Sequence, residues 1–252
     1  METCKNCGAE LTGKYCSNCG QENLTGRLSV GHLFKDATHG ILHWESSILK
    51  TFKELILRPG KFIRVYIDGK RKSFVKPFSY FIFIQTVYAL AFHWFSEKYF
   101  AFVGGSITVN GEITESQAAK IEAIKHTVTS NITYFNYAFP LILAVFWLLF
   151  LKKKTGINYA ESLVSGLYLI GTTLFFGIIL MLLSNFSSQI WEIRFGVNYI
   201  YIIVAYIQYS GYKLFKGIIR GLILTLLSYI VYVILVSGVT IFYLTIIKGI
   251  KL

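Results

Sequence analysis

The stretch "ESLVSGLYLIGTTLFFGIILMLL", residues 161–183, predicts the fold class of this chain. Glu161, at its first position, is the only residue of the stretch that carries a charge at neutral pH. Because a helix rises about 1.5 Å per residue, some 20 apolar residues cross a hydrocarbon core of roughly 30 Å. We therefore expect residues 161–183 to form a membrane-spanning helix.

The composition of the whole chain agrees with this interpretation. Its 252 residues are 54% hydrophobic and 15% charged, whereas about a quarter of the residues in a soluble domain are charged. Four further apolar segments are long enough to cross, at about residues 78–95, 133–151, 195–212 and 221–247. The segment 195–212 is the weakest, and a re-entrant segment is the alternative there. The predicted fold is an all-α membrane protein with a five-span helical bundle over residues 78–252.

Basic residues indicate the orientation of the bundle. Residues 1–27 contain no continuous apolar run, so we expect no secretory signal and a cytosolic N-terminus. Five spans then place three basic clusters on the cytoplasmic side of a bacterial inner membrane and the C-terminus on the other side. The clusters are Lys70, Arg71, Lys72 and Lys76, then Lys152, Lys153 and Lys154, then Lys213, Lys216 and Arg220. Because much of the net charge of +12 lies beside apolar spans, no nucleic-acid partner is expected.

The longest loop outside the cytoplasm is expected at residues 96–132. Its sequence predicts a small hairpin around Asn110-Gly111, followed by a short helix that begins at Thr114. These elements are too small to form a catalytic domain.

Residues 1–25 contain all four cysteines, in the stretch "CKNCGAELTGKYCSNCG" of residues 4–20. Two C-x-x-C-G units can aim four thiolates at one ion, and the glycine after each unit permits the positive φ of a tight turn. The four sulfur ligands are Cys4, Cys7, Cys16 and Cys19. They predict a structural Zn²⁺ site, with no open position for a catalytic water, whose binding energy folds residues 1–22. Disulfide bonds or a redox dithiol are the alternatives, and a reducing cytosol disfavours them.

The same stretch resembles the short zinc ribbons that precede many bacterial membrane proteins. The matching residues are Cys4, Cys7, Gly8, Leu11, Tyr15, Cys16, Cys19 and Gly20. This resemblance implies a ribbon fold with zinc ligation and indicates no specific partner.

Residues 26–77 are predicted to contain an interfacial amphipathic helix and a basic juxtamembrane segment. In the helix, residues 29–57, apolar residues such as Phe52 and Leu55 share one face, Ser29 is the N-cap, and Pro59 lies just beyond the end. Such a helix suits the membrane surface or the cytosolic side of the bundle.

The polar face of this helix carries three histidines and an aspartate at helical spacing. They are His32, Asp36, His39 and His43. These side chains could bind a transition metal, but one helix seldom supplies a complete tetrahedral site, so a solvated face is the favoured interpretation.

The segment 58–81 interleaves seven basic residues with aromatic and aliphatic ones, and Asp68 is its one acid. We expect the segment to lie on an anionic leaflet, and the favoured interpretation is that its charges only orient the first span. The alternative is specific recognition of lipid head groups or of a partner by six of the basic side chains: Lys61, Arg64, Lys70, Arg71, Lys72 and Lys76.

"TFKELILRPGKFIRVYIDGKRKSFVKPFSYF", residues 51–81, resembles the signature of a family of uncharacterised bacterial inner-membrane proteins. Its members join an N-terminal zinc ribbon to a "RPGKFI…Y…GKR…KPFS" segment and several spans. The resemblance covers roughly the first third of the chain, and it implies this architecture and no activity. The expected five-span topology is also similar to that of the Yip family of membrane-trafficking proteins.

These features predict a non-enzymatic multi-pass membrane protein whose ribbon docks a cytosolic partner. No nucleophile–base constellation, phosphate loop or HExxH motif occurs in the sequence. Self-association through the spans is left open.

Two alternative functions remain. A transporter or lipid-handling protein should show a polar cavity at the few polar side chains of the spans, which are Gln85, His93, Asn136 and Gln208. For Gln85 and Gln208, interhelical hydrogen bonds are the favoured role. A membrane-anchored zinc or redox sensor would use the same four thiolates.

Overall fold

The structure is a computed structural model, and it describes residues 2–11, 13–23, 26–33, 45–106, 115–184, 186 and 189–247. A helical turn occupies residues 30–33. The helices that follow it are α1 Glu45–Leu57, α2 Pro59–Ile67, α3 Pro77–Ser106, α4 Glu115–Ser130, α5 Ile132–Phe135, α6 Ala138–Thr155, α7 Tyr159–Leu183, α8 Gln189–Ser210 and α9 Leu214–Phe242. A π-helical turn, Tyr243–Ile247, extends α9. The residues described contain no β-strand, so the all-helical prediction is confirmed for them.

Four helical segments are long and apolar enough to cross a membrane: Pro77–Phe95, Thr133–Thr155, Tyr159–Leu183 and Leu214–Ile246. They coincide with four of the five predicted spans. The remaining predicted span, 195–212, overlaps α8, which ends at Ser210 and is not one of these four. The sequence of α8 is more polar, because Arg194, Asn198 and Gln208 interrupt its apolar residues.

Helix α7 lies at the centre of the bundle. Eighteen of its 25 residues are buried, which explains why residues 161–183 are apolar on every face. Small residues allow its neighbours to approach closely. A Cβ on Gly166 would lie 2.3 Å from the carbonyl oxygen of Pro140, and one on Gly171 would lie 2.8 Å from the ring of Tyr80.

The predicted amphipathic helix is described at its two ends. At the first end the Ser29 hydroxyl accepts the backbone N–H of His32 over 3.3 Å, which confirms Ser29 as an N-cap. Helix α1 then ends at Leu57, beside Pro59 as predicted. Its Phe52 ring packs 4.8 Å from that of Phe175, so this end lies against the bundle, one of the two predicted positions.

Helix α2 was not expected from the sequence. Pro59 occupies its first turn and preorganises the backbone for a new helix after the break at Arg58. Phe62, Ile63 and Tyr66 form its buried face. Residues Pro59–Ile67, before the first span, therefore form a second helix packed against the protein.

Helix α2 packs closely on the C-terminal end of α8. A Cβ on Gly60 would lie 2.1 Å from the carbonyl oxygen of Ala205 and 2.5 Å from the backbone nitrogen of Tyr209. The Gly60 N–H donates to Oε1 of Gln208 over 3.1 Å, and Arg64 donates to the Tyr209 carbonyl. Glycine is therefore required at position 60.

Helices α8 and α9 are in close contact at two glycines of α9. A Cβ on Gly217 would lie 2.9 Å from the side chain of Ile207, and one on Gly221 would lie 3.3 Å from that of Ile203. The ends of α6, α7, α8 and α9 that carry Lys154, Glu161, Tyr209 and Lys216 meet at one end of the bundle, called here the basic end.

The loop predicted at residues 96–132 begins later than expected. Helix α3 continues to Ser106, because no glycine or proline interrupts it before Gly104. Helix α4 confirms the predicted short helix, and the hairpin around Asn110-Gly111 lies outside the described residues.

Candidate metal centre

Four sulfur atoms meet near the N-terminus. The Sγ atoms of Cys4, Cys7, Cys16 and Cys19 all lie within 4.8 Å of one another. The Cys4–Cys19 pair is separated by 3.6 Å and the Cys7–Cys16 pair by 3.5 Å. Tetrahedral coordination with metal–sulfur bonds of about 2.3 Å requires sulfurs roughly 3.8 Å apart. The four residues singled out by their spacing could therefore hold one metal ion.

Two matching turns position these sulfurs. The Gly8 N–H donates to the carbonyl of Cys4, and the Gly20 N–H donates to the carbonyl of Cys16, each over 2.8 Å. Gly8 has a φ of 79° and Gly20 a φ of 69°, so both glycines supply the positive φ that the sequence predicted. One antiparallel bridge closes each turn, Thr3–Glu10 and Tyr15–Glu22.

Hydrogen bonding to sulfur makes one thiol unusually acidic. The backbone N–H of Cys19, helped by that of Asn18, donates to the sulfur of Cys16 and lowers the pKa of its thiol to about 6. The Ala9 N–H acts in the same direction on Cys7, but burial and the three neighbouring sulfurs outweigh it and raise that pKa to about 11. The four thiols therefore do not all ionise at neutral pH unless a cation lies among them.

The loop after α2 is hydrogen-bonded to Gln21, at the end of the segment that carries the four cysteines (the cysteine segment). The Nε2 atom of Gln21 donates to the carbonyl of Gly69 over 2.7 Å. Its Oε1 accepts the backbone N–H groups of Arg71 and Lys72 over 3.1 and 3.0 Å. A bond of 3.0 Å from Ser73 Oγ to Asn6 Oδ1 adds a second point of attachment. These contacts were missed because they join residues 48 to 67 positions apart, and no local pattern reveals such a pairing.

Arg27 fixes the chain that follows the cysteines to the start of α7. Its guanidinium forms a two-pronged ion pair with Glu161, over 3.0 and 2.5 Å, and also donates to the carbonyl of Gly156 over 2.6 Å. Glu161 and Asn158 cap α7 reciprocally. The sequence singled out Glu161 for its place at the end of a span, but not its partner.

A cavity of about 1010 Å³ lies between the cysteine segment and the basic end. Its polar lining includes Lys5, Gln21, Arg27, Arg64, Arg71, Lys154, Glu22, Asp68 and Glu161. It is lined by none of Gln85, His93, Asn136 and Gln208, the residues expected around a transport cavity.

The structure divides the basic residues that were predicted to meet lipid. Arg71 donates to the carbonyls of Tyr66 and Ile67, each over 3.3 Å. Like Arg64, it donates to carbonyl groups at the C-terminal end of a helix. Four of the predicted side chains are exposed: Lys61, Arg64, Lys70 and Lys72. Lys76 is half-buried.

The proposed histidine stripe is described at one position. His32 is exposed, and its Nδ1 lies 3.0 Å from the Ser29 hydroxyl. Asp36, His39 and His43 lie outside the described residues.

Two of the polar residues in the helices form the predicted interhelical hydrogen bonds. Gln85 Nε2 donates to the carbonyl of Thr133 over 2.8 Å, and Gln208 accepts the Gly60 N–H as described above. Asn136 is buried, and its Nδ2 has no hydrogen-bond partner.

The described residues define a helical protein with four helices able to cross a membrane and a four-cysteine cluster near its N-terminus. Residues 45–89 match a family described as "Protein of unknown function (DUF3667)". The match covers α1, α2 and the first part of α3, including the segment 51–81, and it supports the expected similarity to an uncharacterised family. No curated protein and no solved structure matches the chain.

Proposed function

We propose that this chain is a non-enzymatic multi-pass protein of a bacterial inner membrane, whose zinc-bound ribbon docks a cytosolic protein partner. The proposal rests on one observation: one side of the ribbon contacts the rest of the protein, and the other side is exposed. Gln21 holds one side against the loop 69–72, whereas Tyr15 on the second turn is 57% exposed. A ribbon that is held against the protein and exposes an aromatic side chain suits docking, because exposed tyrosines frequently act as anchors at interfaces.

Zinc is the proposed ion. Four thiolates in tetrahedral arrangement suit Zn²⁺ and leave no coordination position for a substrate. The ion would then hold the ribbon in shape and perform no chemistry.

Five spans with a cytosolic N-terminus are the proposed topology. Helix α7 starts at the basic end and α9 starts there too, so α8 between them has to return to that end. Its 22 residues would cover about 33 Å as a helix, enough to cross. The basic end carries Lys152, Lys153, Lys154, Lys213, Lys216 and Arg220, which supports a cytosolic position for it.

Reporter fusions test this topology. A reporter active only outside the cytoplasm should work when fused after Glu115 or Ile190 and fail when fused after Gly26, Lys154 or Leu214. Activity after Leu214 would refute the five-span proposal, because it would show that α8 does not cross.

Photo-crosslinking tests the docking role. A photoreactive phenylalanine in place of Tyr15 should give a discrete cross-linked product with a cytosolic protein, and the product should disappear when Cys16→Ser is added. Tyr159, an exposed tyrosine outside the ribbon at the basic end of the bundle, is the matched control position and should give no such product. Equal products at both positions, or none at Tyr15, would contradict a docking ribbon.

Anionic lipids are proposed as the second partner of the protein, bound by the basic segment. Lys61, Lys70 and Lys72 are its exposed lysines and can reach head groups, while Arg64 and Arg71 contact helix ends.

A further inference from the structure

Three cationic side chains surround a single tyrosine ring at the basic end. Tyr212 lies in the turn between α8 and α9. Lys154 Nζ lies 3.6 Å from its ring centroid, the Arg220 guanidinium carbon 4.9 Å and Lys216 Nζ 5.4 Å. Arg220 also donates to the Tyr212 hydroxyl over 2.9 Å. This group of four residues, called here the Tyr212 cluster, draws on α6, the α8–α9 turn and α9.

In the part of the chain described, no salt bridge pairs the cations of the Tyr212 cluster, Lys154, Lys216 and Arg220, with a carboxylate. One aromatic ring attracts each cation, but three like charges around it repel one another. An anion among them would remove that repulsion.

Neighbouring groups add to the attraction for an anion. Helix α9 begins beside the cluster with no acidic residue in its first turn and no side-chain N-cap, so the positive end of its dipole is uncompensated. The ring of Tyr206 stacks against that of Tyr212, with 6.4 Å between centroids. The buried Tyr206 hydroxyl lies beside Arg220. The cluster thus offers positive charge with a hydroxyl group next to it.

A phosphate group fits these donors, because a guanidinium and ammonium groups bind its oxygens from several directions. The surface beside the cluster indicates where such a phosphate comes from. Leu214, Phe215 and Ile219 are 68%, 77% and 43% exposed. Phe215 and Ile219 each precede one of the basic residues of α9, so an apolar stripe runs alongside the basic pair. A ligand with a phosphate at one end and hydrocarbon beyond it matches both surfaces.

We propose that the Tyr212 cluster binds the phosphate of an anionic phospholipid, whose acyl chains lie along the exposed face of α9. The site is separate from the basic segment 58–81 and does not depend on the ribbon. It would hold one lipid at the turn that joins α8 to α9. Basic pockets between helix ends at the cytosolic membrane surface are suited to such head groups.

The test is lipid binding by the full-length protein in detergent, measured by native mass spectrometry during titration with phosphatidylglycerol. The double variant Lys216→Gln/Arg220→Gln should bind about tenfold more weakly or worse, because it loses two basic contacts to the head group. The matched control Lys152→Gln/Lys153→Gln loses the same charge at the same end of the bundle, outside the cluster, and should bind as the wild type does.

Further comparisons identify the ligand and include a variant that leaves the sequence of α9 unchanged. Lys154→Gln, compared with Lys153→Gln, repeats the test without altering α9. Phosphatidylcholine, which carries no net charge, should bind more weakly than phosphatidylglycerol. Equal loss in the cluster variant and its control would overturn the proposal, since binding would then follow surface charge alone. Displacement of the lipid by an excess of inorganic phosphate would also overturn it, because the site would then hold free phosphate.

Discussion

Replacing Cys16 with serine is expected to reduce the bound metal from about one zinc ion per chain to nearly none. The reason lies in the composition of the ribbon. Within its described residues, 2–11 and 13–23, Cys4 and Cys16 are the only buried ones. There is no apolar core to replace the metal, whose binding supplies about 10–16 kcal/mol in comparable zinc modules. Metal analysis of the purified variant measures the loss, and hydrogen exchange should show residues 2–23 unprotected.

Ser17→Ala is the matched control, because Ser17 lies between two ligands and is exposed. It should keep the metal and the protection of the ribbon. In Cys16→Ser the helical bundle should stay assembled, because the Arg27–Glu161 ion pair and the contacts among the helices do not involve the cysteines. Zinc retained in Cys16→Ser would refute the four-sulfur site, and iron in place of zinc would refute the choice of metal.

Local patterns in the sequence were sufficient for the four-cysteine cluster and for the four helices that could cross a membrane. A cysteine pair and its glycine form one turn, and an apolar run of about 20 residues forms one helix, so each pattern lies within the element that it predicts. Helix α2 was missed because its basic residues suggested a lipid-facing surface. Pro59 at its first turn and the spacing of Phe62, Ile63 and Tyr66 were the signals available.

Contacts between distant parts of the chain leave no local pattern in the sequence, so they were not predicted. Gln21 meets the loop 69–72, and Arg27 meets Glu161, 134 positions away. Neither residue belongs to a pattern, because a single glutamine or arginine has many acceptable environments. Gln208 illustrates the same difficulty within α8. It makes the helix less apolar in sequence, yet its amide is satisfied by the Gly60 N–H in the structure.

Gly60→Ala is expected to destabilise the fold strongly. The new Cβ would meet backbone atoms of Ala205 and Tyr209 at 2.1 and 2.5 Å, so α2 would have to move away from α8. That movement would break the bond between the Gly60 N–H and Gln208 and leave the Gln208 oxygen unsatisfied. Overpacking costs about 1–3 kcal/mol, and the loss of the partly buried hydrogen bond to Gln208 adds to it. We therefore expect the melting temperature in detergent to fall by about 5 °C or more.

The fluorescence of Trp147 can be used to measure this melting temperature. Its side chain is fully buried, and its ring lies 5.7 Å from those of Tyr206 and Tyr209, so its fluorescence reports on this end of α8 during heating. The control is Gly238→Ala in α9, where a Cβ would meet nothing within 4 Å. Alanine favours a helix by up to about 1 kcal/mol over glycine, so the control should melt at the wild-type temperature or slightly above. If Gly60→Ala melts with the control, the close packing of α2 on α8 is refuted, and with it the reason why glycine follows Pro59 in the segment 51–81.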